Sequence, residues 1–307
     1  MMSISSGQTG KKEKKKEREK IEIRQRRPID GPDELRLTSE RNVYIQTMIK
    51  TIDFIIPIYN ESKRLKPTIS ALNSFATPKS LKIGKVIFVN DGSTDNTLRL
   101  IKSAKIKFPK KIISYPKNIG KGYAIKQGFL AAKSDYALFF DADMSTPLSE
   151  IKKFLPFINK NSRIVIGTRK NGHSTVIKHQ PWLRENLGKC FTLLSQIILN
   201  TKTTDFTCGF KAFDKTAYQT IGRLMTIPRW GFDSEIIFLA TRLDFSIQEK
   251  AVLWADKPNT KVNLLKDIYR SFSELVQIRV NYFKGVYQLK NETNKSSGLL
   301  RSLATTN

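Results

Sequence analysis

Residues 139–147, Phe139-Phe140-Asp141-Ala142-Asp143-Met144-Ser145-Thr146-Pro147 (FFDADMSTP), put two carboxylates one residue apart at the end of an apolar run. The run itself, YALFFDA over 136–142, reads as a buried strand. Four others share its build: TIDFIIPI (51–58), KVIFVN (85–90), KIISY (111–115) and RIVIGT (163–168). Each is short, rich in β-branched or aromatic residues and bounded by turn residues. Helical periodicities fill the gaps at roughly 61–77, 95–107, 120–133 and 148–158. Strand and helix alternating at this spacing predict βαβ units, hence an α/β fold with a mainly parallel sheet flanked by helices and ligands outside the carboxyl ends of the strands. The polar residues fall at those ends. The first run leads into Tyr59-Asn60-Glu61, the second into Asn90-Asp91-Gly92-Ser93-Thr94-Asp95, and the fourth into Asp141-Ala142-Asp143. After about residue 180 the pattern turns more helical, with segments expected at 182–200, 215–224, 231–243 and 264–285.

The 307 residues can bury a large core. The formal net charge of +27 predicts attraction to phosphate-rich partners, with nucleic acid, anionic lipid, a nucleotide ligand or a plain lysine-rich surface all open on charge alone. Residues 1–50 hold 13 basic and 8 acidic side chains, so most of the charge belongs to the body of the chain. Residues 1–48, with KKEKKKEREK at 11–20, are expected to form a basic, solvated extension, residues 49–287 a single folded domain and residues 288–307 a polar tail. Two cysteines, Cys190 and Cys208, have no CxxC spacing and point to a reducing compartment. No run of eighteen apolar residues and no secretory signal is visible, so the chain is expected to be cytoplasmic without a spanning helix.

Carboxylates at Asp141 and Asp143 suit Mg²⁺ or Mn²⁺, hard ions that bind through one or two carboxylates plus substrate phosphates. Turn chemistry alone also favours Asp at strand ends, so this pair gains weight from the second strand end. There Gly92 supplies a tight turn and Ser93, Thr94 or Asp95 a cap for the helix starting near Asn96, while Asp91 reads as an acceptor for ribose hydroxyls or a base edge. Asn118-Ile119-Gly120-Lys121-Gly122 opens the next helix, where glycines allow close backbone approach to an anion and Lys121 adds a charge. Its spacing is neither Walker A nor GxGxxG.

Together these residues resemble a family-2 glycosyltransferase of the GT-A fold: IPIYNE at 56–61, VNDGSTD at 89–95, NIGKGYA at 118–124 and DAD at 141–143, in family order, with similarity over about 52–287. GTRKNG (167–172), DFTCGFKAF (205–213), RWGFDSEI (229–236) and KVNLLKDIYRSFSELVQIR (261–279) resemble the polyprenyl-phosphate hexosyltransferase branch, and the dolichyl-phosphate β-glucosyltransferases in it more than the mannose synthases. The resemblance implies Pro57 and Glu61 near base and ribose, Asp91 on the base, Asp141 on ribose and metal, and Asp143 on the metal. It implies Arg169 and Arg184 near acceptor or donor phosphates, Asp205 by the sugar or acceptor, and Gly188 where some relatives carry Ser. Where mannose synthases commonly place a metal-ligating Gln, this chain has Ser145, which leaves the third ligand open and favours glucose.

The implied reaction is inverting, metal-dependent hexose transfer from a nucleoside diphosphate sugar, UDP-glucose before GDP-mannose, to a polyprenyl or dolichyl phosphate. Such an acceptor is already anionic, so positioning and cationic clamps matter more than a general base. No Ser-His-Asp or Cys-His set occurs; His173 and His179 read as loop residues, and Trp230 and Asp233 as support, the first packed and the second capping a helix at 234. An interfacial surface is expected on 182–200, through Leu183, Leu187, Phe191, Leu194 and Ile198, and on 264–287, through Leu264, Leu265, Ile268, Phe272, Leu275 and Phe283. Most such helices face a core. An anionic membrane surface then gives the net charge a use, with room for a membrane subunit partner. The rivals are transfer to a non-lipid glycan and, from another class, a basic nucleic-acid-binding protein; nucleic acid is not the expected partner because it leaves the strand-end motifs unexplained.

Overall fold

A computed structural model describes residues 49–170, 176–178, 182–255 and 264–288, with side chains described over 49–170, 186–255 and 270–288. The expected extension 1–48, the tail beyond Gln288 and the loop histidines His173 and His179 lie outside the described residues.

One seven-stranded sheet organises the chain. Strands β1 (Lys50–Ile58), β2 (Leu81–Asp91), β3 (Lys110–Tyr115), β4 (Tyr136–Phe140), β5 (Ile164–Thr168), β7 (Phe210–Asp214) and β8 (Ile247–Ala251) take the order β3-β2-β1-β4-β7-β5-β8. All pairings are parallel except those of β7, which runs antiparallel to both β4 and β5. A separate parallel pair joins β6 (Val176–Lys178) to β9 (Trp254–Ala255). The helices are α1 (Leu65–Ser74), α2 (Thr97–Ser103), α3 (Lys121–Ala131), α4 (Leu155–Asn159, after a 3-10 stretch Leu148–Lys153), α5 (Trp182–Leu199), α6 (Lys215–Leu224), α7 (Phe232–Arg242) and α8 (Leu264–Phe283).

The apolar runs are continuous because both sheet faces are covered, as parallel sheets require. Alternate residues feed two cores: Ile52, Phe54, Ile56, Leu138 and Phe140 pack with Leu65, Leu72 and Phe154 on one side. Ile55, Ile87, Val89 and Phe139 pack with Phe129, Tyr218 and Ile236 on the other. Asp53, buried within β1, pins the opposite end of the sheet by accepting from the Lys85, Lys133 and Ser134 amides and the Ser134 hydroxyl at 2.7–3.2 Å.

The order reverses at β1, which lies between β2 and β4, so this is the switch point where open α/β sheets place ligands. β1 pairs with β4 only through Ile55 and Phe139, whereas it follows β2 as far as Ile58 and Asn90. Pro57, which cannot donate to a ladder, sits in the stretch where β4 has already ended. A gap thus opens between the carboxyl ends of β1 and β4, and the three polar strand ends line it.

The central strand missing from the sequence reading is β7. It inserts in the middle of the sheet with Lys211 wholly buried, so its alternation of Phe210, Lys211, Ala212 and Phe213 does not look like a two-faced core strand. β6, β8 and β9 were likewise unread; β8 is an edge strand with five partly exposed residues.

Candidate functional site

The rim is built from strand ends that hydrogen-bond to one another. Asn60 adopts the left-handed conformation (φ 54°), and its side-chain oxygen accepts from the Thr94 and Asp95 amides at 2.8 and 3.3 Å. Its own amide donates to the Ser93 hydroxyl at 2.9 Å, and the Glu61 amide donates to Thr97 Oγ1 at 2.7 Å. Of the three expected caps, only Asp95 meets the helix, accepting from the Thr97 amide at 2.9 Å and from the Ser62 amide at 3.2 Å. Burial would raise its pKa, but these hydrogen bonds hold it at about 2. Ser93 and Thr94 instead zip the end of β2 to the end of β1.

Asp91 is buried, and its carboxylate holds the Asn118–Gly120 loop. It accepts from the Asn118 amide side chain at 2.7 Å and from the Ile119 and Gly120 amides at 2.8 and 2.9 Å. Gly92 has φ 67°, and a Cβ there would lie 2.4 Å from the Lys117 carbonyl carbon, so only glycine lets this loop close on β2. This corrects the expectation that the glycines of NIGKG receive an external anion. The anion at the Gly120 amide is the protein's own Asp91, and the close approach at Gly120 and Gly122 is to the Pro228 and Ile227 carbonyls, which would lie 2.3 and 2.4 Å from a Cβ on either glycine. The loop thereby fixes where α3, and Lys121 at its start, begins.

Lys121 reaches across to Asp141, Nζ to Oδ1 2.5 Å, and lies 5.6 Å from the centre of the Phe232 ring. Burial would lower the pKa of its ammonium; Asp141 and then Asp233 outweigh that and hold it above the ordinary lysine value. Asp141 follows β4 directly, opposite Gly209 at the start of β7 by extension of the Phe140–Phe210 pair. A Cβ at Gly209 would lie 2.1 Å from Asp141 Oδ2, so glycine is what leaves room for this carboxylate. The turn Asp141–Met144 closes through the Met144 amide on the Asp141 carbonyl at 3.1 Å, with Met144 at φ 54°. Asp143 Oδ1 accepts from the Ser145 amide at 2.9 Å, and Oδ2 lies 3.8 Å from Arg64, whose guanidinium also pairs with Glu61 at 2.7 Å. The side chains of Asp141 and Asp143 keep 34% and 21% exposure, so both carboxylates are open to a ligand. Among the described residues no group of three or more His, Cys, Asp or Glu side chains is placed to hold a metal ion. The donor set is therefore two oxygen ligands on one turn, which fits a hard divalent cation that completes its shell with water and phosphate.

Arg169 and Asp205 do come together, but with each other. The Arg169 Nε and Nη2 donate to the two oxygens of Asp205 at 2.8 Å each, Nη2 also to Thr207 Oγ1 at 2.8 Å, and the Arg169 amide to Asp205 at 3.0 Å. Asp205 has no exposed surface. Burial would raise its pKa, yet the Arg169 guanidinium holds it at about 2. This fork is made within the protein: Asp205 shapes the segment between α5 and β7, and Arg169, 5.2 Å from the Trp254 ring and with 17% of its side chain exposed, follows β5. Arg184 lies on α5 with its side chain outside those described. Around Gly188 a Cβ would meet nothing within 4 Å, so the serine of some relatives has room. Burial pushes the Cys208 thiol up to about 12, which leaves it an inert core group.

Two further expectations change. α7 starts at Phe232 with Gly231 as N-cap, so Asp233 does not cap it; instead it forms an ion pair with the buried Lys211. Trp230, expected to pack, is exposed. Glu235 and Glu274, unread in the sequence, anchor the same region: Glu235 accepts from the Thr226 and Ile227 amides at 2.8 and 3.0 Å, and Glu274 from the Gly231 amide at 2.6 Å. Burial raises the pKa of both. Their signal was absent because charged residues on an amphipathic pattern read as solvent-facing.

The family model described as glycosyl transferase family 2 matches residues 53–222, more than half of the chain. Curated relatives include the dolichyl-phosphate β-glucosyltransferase of Saccharomyces cerevisiae, 32% identical over 77% of this chain and 76% of that protein. That of Dictyostelium discoideum is 30% identical over 78% and 77%. Among solved structures, glucosyl-3-phosphoglycerate synthase from Mycobacterium tuberculosis, in complex with Mn²⁺, uridine diphosphate and glucosyl-3-phosphoglycerate, superposes with a TM-score of 0.55 at 18% identity, covering 75% of this chain and 80% of that one. Staphylococcus aureus TarS in complex with UDP-GlcNAc gives 0.51 at 18% identity, covering 75% and 67%. At that identity the structures establish the GT-A fold, with its sheet and its switch point, and the sequence relatives establish the rest: the chain is a glycosyltransferase and belongs to glycosyl transferase family 2.

Proposed function

We propose that the chain transfers a hexose, glucose before mannose, from a nucleoside diphosphate sugar to a polyprenyl or dolichyl phosphate at a membrane surface. The observation that carries this reading is the open pair Asp141 and Asp143 beside Lys121 at the switch point, in a chain whose curated relatives are named dolichyl-phosphate β-glucosyltransferases. The Mn²⁺ and uridine nucleotides in the structural neighbours' own complexes favour a UDP-sugar donor.

The nucleoside lies against the joined ends of β1 and β2, at the gap towards β4, with Pro57 and Glu61 beside it. A carboxylate has about four acceptor positions; the loop uses three on Asp91, and the base would share the fourth with the neighbouring Tyr115 hydroxyl. Asp141 and Asp143 hold Mg²⁺ or Mn²⁺, which when bound neutralises charge on the departing diphosphate. Lys121 is the protein's own cation at that diphosphate, and Arg64 balances Asp143. The acceptor phosphate oxygen attacks the anomeric carbon on the face opposite the leaving group; a C–O bond forms, the bond to the diphosphate breaks, and the configuration inverts. No proton need be removed, because a lipid phosphate is already anionic near neutral pH. Arg184 is the basic side chain proposed for the acceptor phosphate. Arg169 acts by bracing Asp205.

Among the described residues no helix is long and apolar enough to cross a membrane. The surface that would meet the bilayer is shifted from the expected one. Phe191, Ile198 and Leu275 pack against the core, while Leu193 (57% exposed) and Ile197 (68%) on α5 and Phe272, Val276 and Phe283 (74%) on α8 point outward. Two helices that touch each other thus present apolar outer stripes flanked by Lys189 and Arg279, the composition of an interfacial surface. We place it on the cytoplasmic face of an anionic membrane.

The test is transfer by purified full-length protein from UDP-glucose and from GDP-mannose, with and without polyprenyl phosphate, in Mg²⁺, Mn²⁺ or EDTA. The expected result is lipid- and metal-dependent transfer of glucose with β-configured product, abolished in Asp143→Ala. Unchanged activity in that variant removes the metal assignment; turnover only with a soluble glycan removes the lipid acceptor.

A further inference from the structure

Beneath the Asp141 turn lies an ion pair that the reaction does not obviously need. Lys211 on β7 has no exposed surface, stands opposite Phe139 on β4 and lies 5.3 Å from that ring, two rows below the Asp141–Gly209 level. Its ammonium donates to Asp233 and, at 2.6 Å, to the Phe206 carbonyl. Burying a lysine is costly unless it is paired, and an apolar residue would serve a core better. Asp233 is in the first turn of α7, directly after Phe232, over whose ring the Lys121 ammonium sits. Lys121 therefore has carboxylates within electrostatic reach on two sides, Asp141 and then Asp143 at the open rim and Asp233 in the interior.

We propose that Lys211 is a positioning residue. By holding the charge of Asp233 it leaves Lys121 at the rim, on Asp141 and so on the diphosphate of a bound donor. This rests on the reading of the rim as a nucleoside diphosphate sugar site. Without Lys211, the buried Asp233 carboxyl, whose ionised form burial disfavours, keeps Lys121 as its cation; attraction is stronger in that low-dielectric setting than at the solvated rim, and the flexible Lys121 stem is drawn inward. The two ligands then respond in opposite directions. A divalent cation binds more tightly, because Asp141 has lost a competing ammonium, and the nucleotide binds more weakly, because its phosphates have lost a cation. A role in packing alone would loosen the site and weaken both.

The experiment uses full-length protein and two binding readouts: Mn²⁺ by loss of the free-ion EPR signal, and UDP by calorimetry at saturating Mn²⁺. In Lys211→Met the UDP Kd should rise about tenfold to a hundredfold, the range of one charge-assisted hydrogen bond, while the Mn²⁺ Kd falls. Lys211→Met/Asp233→Asn, which removes both charges, should return both constants to within about threefold of wild type. Joint weakening, no change, or failure of this rescue overturns the proposal. If Lys211→Met does not melt cooperatively, Lys211→Gln takes its place: it keeps a donor for the Phe206 carbonyl but no charge for Asp233, so the same opposite shifts are expected, UDP binding weakened by at least about threefold and Mn²⁺ binding tightened. Weakening of both or of neither overturns the proposal. Wild-type protein that binds neither Mn²⁺ nor UDP overturns the donor-site reading and this proposal with it, whereas wild-type binding of both with unshifted variants overturns this proposal alone.

Discussion

Gly209→Ala isolates the placement of Asp141 from the stability of the fold. A Cβ at this position falls 2.1 Å from Asp141 Oδ2, 2.6 Å from Cγ and 2.9 Å from Oδ1. Ordinary carbon–oxygen contact is about 3.5 Å, so the carboxylate must retreat by roughly 1 Å or more. It can do so, because the Asp141 side chain is one-third exposed and only its far end clashes. The backbone at Gly209 is not in the left-handed region, so alanine is tolerated there and even reduces unfolded-state entropy by about 0.4–1 kcal/mol. The retreat breaks the 2.5 Å contact with Lys121, worth about 1.5–3 kcal/mol as a charge-assisted bond, and displaces the carboxylate proposed to hold the metal. A misplacement of about 1 Å costs around 10²-fold in rate. Steady-state kcat/KM for sugar transfer should therefore drop about a hundredfold while the melting temperature stays within a few degrees. Activity within about threefold of wild type, or a parallel collapse of stability, would show that the opening at Gly209 does not serve the carboxylate.

Other consequences follow from the same geometry. Asp91→Asn replaces one acceptor oxygen by a donor that faces the loop's N–H groups; it should cost about 1–3 kcal/mol of stability in a denaturant titration and raise the donor KM as α3 loses its fixed start. Asp205 titrates at about 2 in the folded protein and near 4 when unfolded, so its pairing with Arg169 contributes stability above the unfolded value that is lost as pH falls toward 2. The acid limb of the stability curve should thus be shallower in Asp205→Asn by about 2 kcal/mol across that window, and an unchanged limb would refute the pairing. Leu193→Glu with Ile197→Glu should leave melting unchanged, since both side chains are exposed, and should cut binding to vesicles containing anionic lipid. Retained vesicle binding would place the membrane surface elsewhere.

Much of this was legible in the residues because it is local. Apolar runs bounded by turn residues gave five strands within a few residues of their observed ends, since strands buried on both faces need unbroken hydrophobic stretches. The grouping of Glu61, Asp91 and Asp141 on one rim followed from parallel connection alone, because every right-handed crossover returns the chain to the same end. Reading side-chain direction was less secure. Phe191 and Ile198 share the helical periodicity of an interfacial stripe, yet they face the core, and it is Leu193 and Ile197 that stand outward. A hydrophobic stripe states that one face is covered, not by what.

What the amino-acid sequence by itself determined is therefore the sheet's parallel half, the acidic rim and the family, all of them properties of short segments and their order. Tertiary structure alone decided which charge meets which. Arg169 and Asp205 are 36 positions apart and Lys211 and Asp233 are 22 apart, and nothing in either segment announces a partner. Only the insertion of antiparallel β7 beside β4 carries Gly209 against Asp141 and Lys211 beneath it, since a strand's neighbours across a sheet are set by long-range pairing that local composition does not encode.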